Sequence, residues 1–387
     1  MTLALINGQV LEGARFTSDR WVLIDDGRIS AVVDPHDPRA EGAQRHDLDG
    51  ALLLPGFVDS QVNGGGGVLF NDAPSVESIR AIGRAHRRFG TTGFLPTLIS
   101  ADLDVVARAI GAVRGAIEAG VPGVLGIHIE GPFLNVARKG VHDPAKLREL
   151  EPGAVGLLTS LRAGRTLVTL APEMTTPAII EQLVAAGVVV SAGHTNASYA
   201  QLQEALQHGL TGFTHLFNAM SQLTGREPGA VGAALADRSS WCGIIVDGEH
   251  THPAVLRIAL RCKPLDRFML VTDAMPSVGT SVRSFRLQRR TIRVSGNVCL
   301  DEDGRLAGSN IDMASAVRNA VSMLGVPLPQ AVRMASEFPA QFLGLARDIG
   351  RIAAGCRANL VSADGQLRVI ETWIDGRSSA EDGAAAP

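Results

Sequence analysis

Between residues 56 and 273, eight short apolar runs alternate with helix-like stretches, and Glu130, His194, His215 and Asp273, each able to bind a metal or move a proton, stand at or near the ends of four of them. The runs are 56–62, 93–98, 124–130, 166–171, 188–194, 212–216, 242–247 and 268–273. Between them, Val76, Ile79, Ile82 and Phe89 recur near helical spacing, Thr176-Pro177 supplies an N-cap and first helical residue, and 253–260 reads as a helix. Eight alternating units favour a closed parallel (β/α)8 barrel over an open sheet. The third run ends at Glu130, the fifth at His194 and the eighth at Asp273; His215 lies one residue before the end of the sixth. In such barrels, groups that do chemistry stand where the strands stop. Two imidazoles and one carboxylate can hold Zn²⁺ and leave a position open for water, while a further aspartate moves protons. The pattern reads as a metal-dependent hydrolase.

At 387 residues the chain is too long for one ordinary core, so a second, smaller domain is expected. Short apolar runs at 3–6, 9–11, 21–24 and 29–33 are broken by the turn signals Asn7-Gly8, Asp25-Asp26-Gly27 and Asp34-Pro35, and similar runs return at 358–363 and 369–376. These predict a small β-sandwich from residues 1–54 and 350–387, around a barrel spanning 55–349. A hairpin is expected over 284–300, helices over 313–323 and 328–334, and a disordered tail after Arg377.

Aromatics make up 4% of the chain, with Tyr199 the single tyrosine, which argues against a base-stacking nucleic-acid surface. A net charge of −3 offers no general attraction to phosphate polymers or anionic membranes, so a bound phosphate must rely on local cations. Cys242, Cys262, Cys299 and Cys356 are scattered without a C-x-x-C pair, as for thiols in a reducing cytosol. The N-terminal residues carry no signal-peptide pattern, and no run approaches a membrane span of about 20 apolar residues. A cytoplasmic protein is expected.

Each candidate has an ordinary structural alternative. His194 follows Ser191-Ala192-Gly193, so little bulk obstructs its approach to a shared centre. Glu130 lies between Ile129 and Gly131-Pro132, where an unpaired carboxylate is expensive and a cation partner is favoured. Asp273 alone could be a capping aspartate; its place after the eighth run favours a catalytic base. His128 shares a strand face with Glu130 and could compete as a ligand. The glycines at 64–67 lack a following Gly-Lys-Ser/Thr and read as a tight loop rather than a phosphate loop.

Seven segments together resemble the N-acetylglucosamine-6-phosphate deacetylases of the amidohydrolase superfamily. They are Leu54-Pro-Gly-Phe-Val-Asp-Ser-Gln-Val-Asn-Gly-Gly-Gly-Gly, His128-Ile-Glu-Gly-Pro-Phe-Leu-Asn, Ser191-Ala-Gly-His-Thr-Asn-Ala, Thr214-His-Leu-Phe-Asn-Ala-Met, Gly225-Arg-Glu-Pro-Gly, Asp247-Gly-Glu-His and Leu270-Val-Thr-Asp-Ala-Met-Pro. The resemblance covers nearly the whole chain. It implies that Glu130, His194 and His215 hold one divalent metal, with Zn²⁺ the first expectation and Fe²⁺ or another divalent ion the alternative. It implies Asp273 as acid and base, and His142 as the group that polarises the acetyl carbonyl. Val141, Asn218, Ala219, Leu306, Ala307 and Gly308 are expected along the sugar pocket, with Arg226 and His250 at the phosphate. A homodimer in which Arg226 serves the neighbouring site is also implied. Gln61-Val62-Asn63 stands where many amidohydrolases carry His-x-His, and Ala171-Pro172-Glu173-Met174 lacks the lysine many carry after strand four. Amides are poor zinc ligands, so one tight metal is expected rather than two. The implied reaction converts N-acetylglucosamine 6-phosphate to glucosamine 6-phosphate and acetate, with another N-acetylhexosamine 6-phosphate, such as the galactosamine epimer, as the alternative. A dihydroorotase- or deaminase-like hydrolase is disfavoured by the missing His-x-His, and a non-catalytic sugar-phosphate binder by Asp273.

Overall fold

A computed structural model describes residues 2–381. Its central element is a parallel sheet of β1 (Phe57–Val62), β2 (Thr91–Ile99), β3 (Gly126–Glu130), β4 (Arg165–Leu170), β5 (Val189–Ala192), β6 (Gly212–Phe213), β7 (Trp241–Ile244) and β8 (Phe268–Leu270), paired in chain order. The sheet closes just beyond β8, where Asp273 N donates to Gln61 O at 3.0 Å and Val62 bridges Ala274. The expected barrel is present, but several strands stop earlier than the apolar runs suggest. His194, His215 and Asp273 lie past β5, β6 and β8, each with positive φ (49°, 35° and 51°).

Alternation along the strands sorts side chains by face. Ile127, Ile129, Val168, Leu170, Val190 and Phe213 face the surrounding helices and belong to the main core. Inside the barrel, Val58, Leu95, Leu167 and Met269 pack at the floor against Phe342 and Leu343, at the end of helix Glu337–Phe342. Above that apolar plug the interior turns polar: His128, Thr169, Thr214 and Ser191 form a hydrogen-bonded chain across adjoining strands.

Strands from both chain ends form the small domain as one continuous eight-stranded sheet around Leu5, Val22, Ile29, Leu53, Leu360 and Trp373. Leu52–Pro55 pairs with Leu360–Ala363 and so joins the two ends directly before β1 begins. The tail expected to be disordered starts ordered: Arg377–Ser378 pairs with Trp373 and Ile374, because Ser379 N donates to Thr372 O at 2.8 Å. The rest of that tail, residues 382–387, lies outside the described residues. The expected hairpin is part of a four-stranded antiparallel sheet, Ser284–Leu287, Arg290–Ser295, Val298–Leu300 and Leu306–Ser309. Helices Met313–Leu324 and Leu328–Ala335 follow, as expected. Thr176 occupies the N-cap with Pro177 first in the helix, though its side chain makes no capping bond. Among the described residues, no helix is long and apolar enough to cross a membrane.

Candidate active site

Glu130 is the last residue of β3 and, like His128, points inward because Ile127 and Ile129 take the outer face. His194 and His215 reach it from the turns after β5 and β6. Glu130 Oε1 lies 3.0 Å from His215 Nε2 and 3.3 Å from His194 Nε2, and the two ring nitrogens are 3.0 Å apart. All three side chains are buried. His194 needs its small neighbour: a Cβ on Gly193 would stand 2.7 Å from Thr169 Cγ2. His128 stands outside this cluster. It sits one layer lower and bonds Thr169 Oγ1 through Nε2 at 2.8 Å.

The three groups fit a divalent cation on chemical grounds. His194 Nδ1 donates to Arg138 O at 2.9 Å, so its Nε2 presents a lone pair to the cluster. Burial opposes the charge of Glu130, but the neighbouring His194 and His215 outweigh it and hold the carboxyl well below its ordinary range. A carboxylate beside two imidazole nitrogens, out of water, is a donor set that zinc uses.

Asp273 faces the same centre. Its Oδ1 accepts from Asn63 Nδ2 at 2.6 Å and from Gln61 Nε2 at 3.2 Å, and Gln61 Nε2 also reaches Glu130 Oε1 at 3.1 Å. Both amides thus face the site from the place where imidazoles could have stood. Burial, then the Glu130 carboxylate, pushes the Asp273 carboxyl up to about 6. Among the described residues no donor holds Oδ2, which leaves that oxygen for a proton.

His142 packs against His194 with ring centroids 4.4 Å apart and the rings tilted by 59°. Burial, then the neighbouring His194, holds its imidazole well below the usual range, so it is neutral. Ser100 N donates to its Nδ1 at 3.3 Å, and Ser100 Oγ lies 2.7 Å from the same atom. Nδ1 is therefore the acceptor and Nε2 carries the proton.

These groups line a cavity of about 350 Å³, with Val141, Asn218, Ala219, His250, Leu306, Ala307 and Gly308 in its wall. The four-stranded sheet brings in the last three: Ser309 N donates to Asp273 O at 2.9 Å, and Met275 N donates to Ser309 O at 3.0 Å. Only glycine fits at 308, where φ is +66° and a Cβ would lie 2.7 Å from Met275 Cγ. Asn218 Nδ2 is held by His215 O and Leu216 O at 3.0 and 3.3 Å, leaving Oδ1 as an acceptor. His250 Nδ1 bonds Asp247 Oδ2 at 2.5 Å, leaving Nε2 for a ligand. Arg226 does not line the cavity; it is exposed on the turn after Gly225. Glu227 fixes that turn by accepting from Tyr199 N at 2.7 Å and Gly229 N at 2.9 Å.

Sequence reasoning did not place Ile99, Arg138, Met275 or Leu287 in the wall. Arg138 and Met275 lie inside or beside segments that carry the resemblance; Leu287 comes from a hairpin with no site signal in its residues.

The amidohydrolase family matches residues 52–379. This chain belongs to the amidohydrolase family. The N-acetylgalactosamine-6-phosphate deacetylase of Shewanella sp. (strain ANA-3) is 46% identical over 369 residues, covering 95% of this chain and 93% of that protein. The crystal structure of N-acetylglucosamine-6-phosphate deacetylase from Pasteurella multocida superposes with a TM-score of 0.94 at 34% identity, covering 98% of this chain and 99% of the other. A mutant of the Mycobacterium smegmatis N-acetyl-D-glucosamine-6-phosphate deacetylase, solved with N-acetyl-D-glucosamine 6-phosphate, gives a TM-score of 0.89 at 36% identity, covering 98% of each chain.

Proposed function

We propose that this amidohydrolase removes the acetyl group from N-acetyl-D-glucosamine 6-phosphate, giving D-glucosamine 6-phosphate and acetate. The observation that carries this reading is the convergence of Glu130, His194, His215, Asp273 and neutral His142 on one cavity. Glu130, His194 and His215 would hold one divalent ion, with Zn²⁺ the first choice. When bound, such an ion supplies Lewis acidity and lowers the pKa of water towards about 7. Asp273 Oδ2 takes the proton of the attacking water, and His142 Nε2–H donates to the acetyl oxygen as negative charge grows there. Asp273 then returns the proton to the departing nitrogen as the C–N bond breaks. Asn218 Oδ1 accepts from a sugar hydroxyl, and the loop at 306–308 closes over the ring. His250 meets the phosphate within the chain, and Arg226 serves a neighbour's phosphate in a homodimer; its exposure on the turn held by Glu227 supports this role. A reducing cytoplasm suits the four cysteines, all unpaired.

The 46% identity to the Shewanella galactosamine enzyme favours a second reading, deacetylation of N-acetyl-D-galactosamine 6-phosphate. Steady-state rates on both epimers, with metal analysis of the same sample, decide between them. A higher kcat/KM for the gluco epimer and about one bound divalent ion per chain are expected. Preference for the galacto epimer moves the assignment to the second reading, and turnover of neither removes both.

A further inference from the structure

We propose that Glu173, which lies outside the cavity, is the positioning residue that sets the metal-facing geometry of His194. The inference rests on the metal-centre reading given above. Glu173 lies in the short turn Pro172–Met174 after β4 and accepts three hydrogen bonds from two other loops. Oε1 takes Asn135 Nδ2 at 3.0 Å and Asn196 N at 2.6 Å; Oε2 takes Thr195 Oγ1 at 2.5 Å. Two of these donors are the residues immediately after His194, and the third belongs to the loop that holds the His194 ring.

The links run on from there to the imidazole. Asn135 N donates to His194 O at 3.0 Å, so one neighbour of Glu173 grips the ligand's own backbone. Asn135 O and Oδ1 accept from Arg138 N and Ala137 N, both at 2.9 Å, and shape the turn Val136–Arg138. That turn presents Arg138 O to His194 Nδ1 at 2.9 Å, and Arg138 Nε closes the ring of contacts on Asn196 Oδ1 at 2.9 Å. His194 is a non-glycine residue at φ +49°, a conformation that persists only where its surroundings determine it. One carboxylate therefore pins the loops on both sides of the ligand, and through Arg138 O it fixes which ring nitrogen carries the proton. His215 has no comparable partner among the described residues: its Nδ1 is buried without a hydrogen bond. The orientation of the pair consequently depends on the His194 side.

The test compares Glu173→Gln, Glu173→Ala and Thr195→Val with the parent, reading the metal dissociation constant by chelator competition and the visible absorption spectrum of the Co²⁺-loaded protein. Loss of a partner that orients a metal-binding histidine weakens metal binding by about 10–100-fold. That range is expected for both Glu173 variants, with a smaller loss for Thr195→Val and an altered Co²⁺ spectrum in all three. Thr195→Val and Glu173→Gln decide the matter if Glu173→Ala does not fold. A lower melting temperature of the metal-saturated protein, with the parent's Co²⁺ spectrum and a dissociation constant within about twofold of the parent's, makes Glu173 a loop brace and overturns the proposal. Failure of the underlying reading looks different: the parent itself then holds no tight divalent ion, and both inferences fall together.

Discussion

At the floor of the barrel, Val58, Leu95, Leu167 and Met269 close on Phe342 through apolar contact alone. At the mouth, Glu130, His194, His215 and Asp273 are held by directed bonds, three of them on backbone in the left-handed region. The same strands supply both ends. The floor needs only volume and alternation, which many side chains satisfy. The mouth needs particular atoms at particular places, and loops far apart in sequence provide them. The two ends should consequently fail in different ways when altered: the mouth in chemistry, the floor in stability.

The largest expected effect is at the mouth. Asp273→Asn keeps an oxygen for the Gln61 and Asn63 amides but cannot take a proton at neutral pH. Loss of such an acid–base group lowers kcat by about 10²–10⁴-fold. Metal content and melting temperature should stay close to the parent. Near-normal turnover would remove Asp273 from the mechanism and with it the contrast between the two ends.

The floor gives the converse experiment. Phe342 is 6% exposed and packs into the closed end of the barrel. Phe342→Ala should lower unfolding stability by about 3–5 kcal/mol in denaturant titration. Because His128, Thr169 and Thr214 are tied to one another by hydrogen bonds rather than to Phe342, KM and metal content should stay near the parent's at temperatures where the variant remains folded. A large change in metal affinity would show that the two ends are mechanically joined.

The floor and the outer faces were the legible part of the molecule. Apolar runs alternating with helix-like stretches located all eight strands, and small residues such as Ser191-Ala192-Gly193 marked where His194 needed room. Period-two alternation put His128 and Glu130 on one face, yet it could not tell them apart. Two residues along a strand is about 6.6 Å, enough to drop His128 out of the ligand layer and onto Thr169. Strand ends were overextended because His194, His215 and Asp273 stand at the close of apolar runs while their backbone turns left-handed. Ser100, Glu173 and the carbonyl of Arg138 carried no signal at all. Each acts on a residue many positions away in sequence, such as Arg138 on His194, and no local pattern encodes such a pairing.

At the rim, Arg226→Ala tests whether the mouth is completed by a second chain. A hydrogen bond to a charged group contributes about 1.5–3 kcal/mol, so KM for the phosphorylated substrate should rise by roughly 10–100-fold. The change in kcat should be smaller, because the contact is made equally before and during the reaction. Unphosphorylated N-acetylglucosamine should be affected little. Mixing Arg226→Ala with Asp273→Asn subunits should restore activity in hybrid dimers, since one site then receives its arginine from the Asp273→Asn chain. Verified subunit exchange without recovery would place Arg226 within its own chain or outside the reaction.

The smallest effect is expected where the two ends meet, at the seam between β1 and β8. Asp59 is buried there and accepts from Thr272 Oγ1 at 2.5 Å and Gln61 N at 3.1 Å. Burial outweighs those bonds and raises its carboxyl from 3.8 to about 7. Between those values the folded protein binds a proton that the unfolded chain has already released. Stability from this group is therefore full below the unfolded pKa, declines as pH rises through the window, and is gone above about 7. Asp59→Asn carries no such proton, so its unfolding free energy should lack this fall. Between pH 5 and pH 6.5 the parent should lose about 1–2 kcal/mol relative to the variant, read from denaturant midpoints at matched ionic strength. Parallel pH profiles would mean that the bonds from Thr272 and Gln61 keep Asp59 ionised despite its burial, and that the seam tolerates charge as the mouth does.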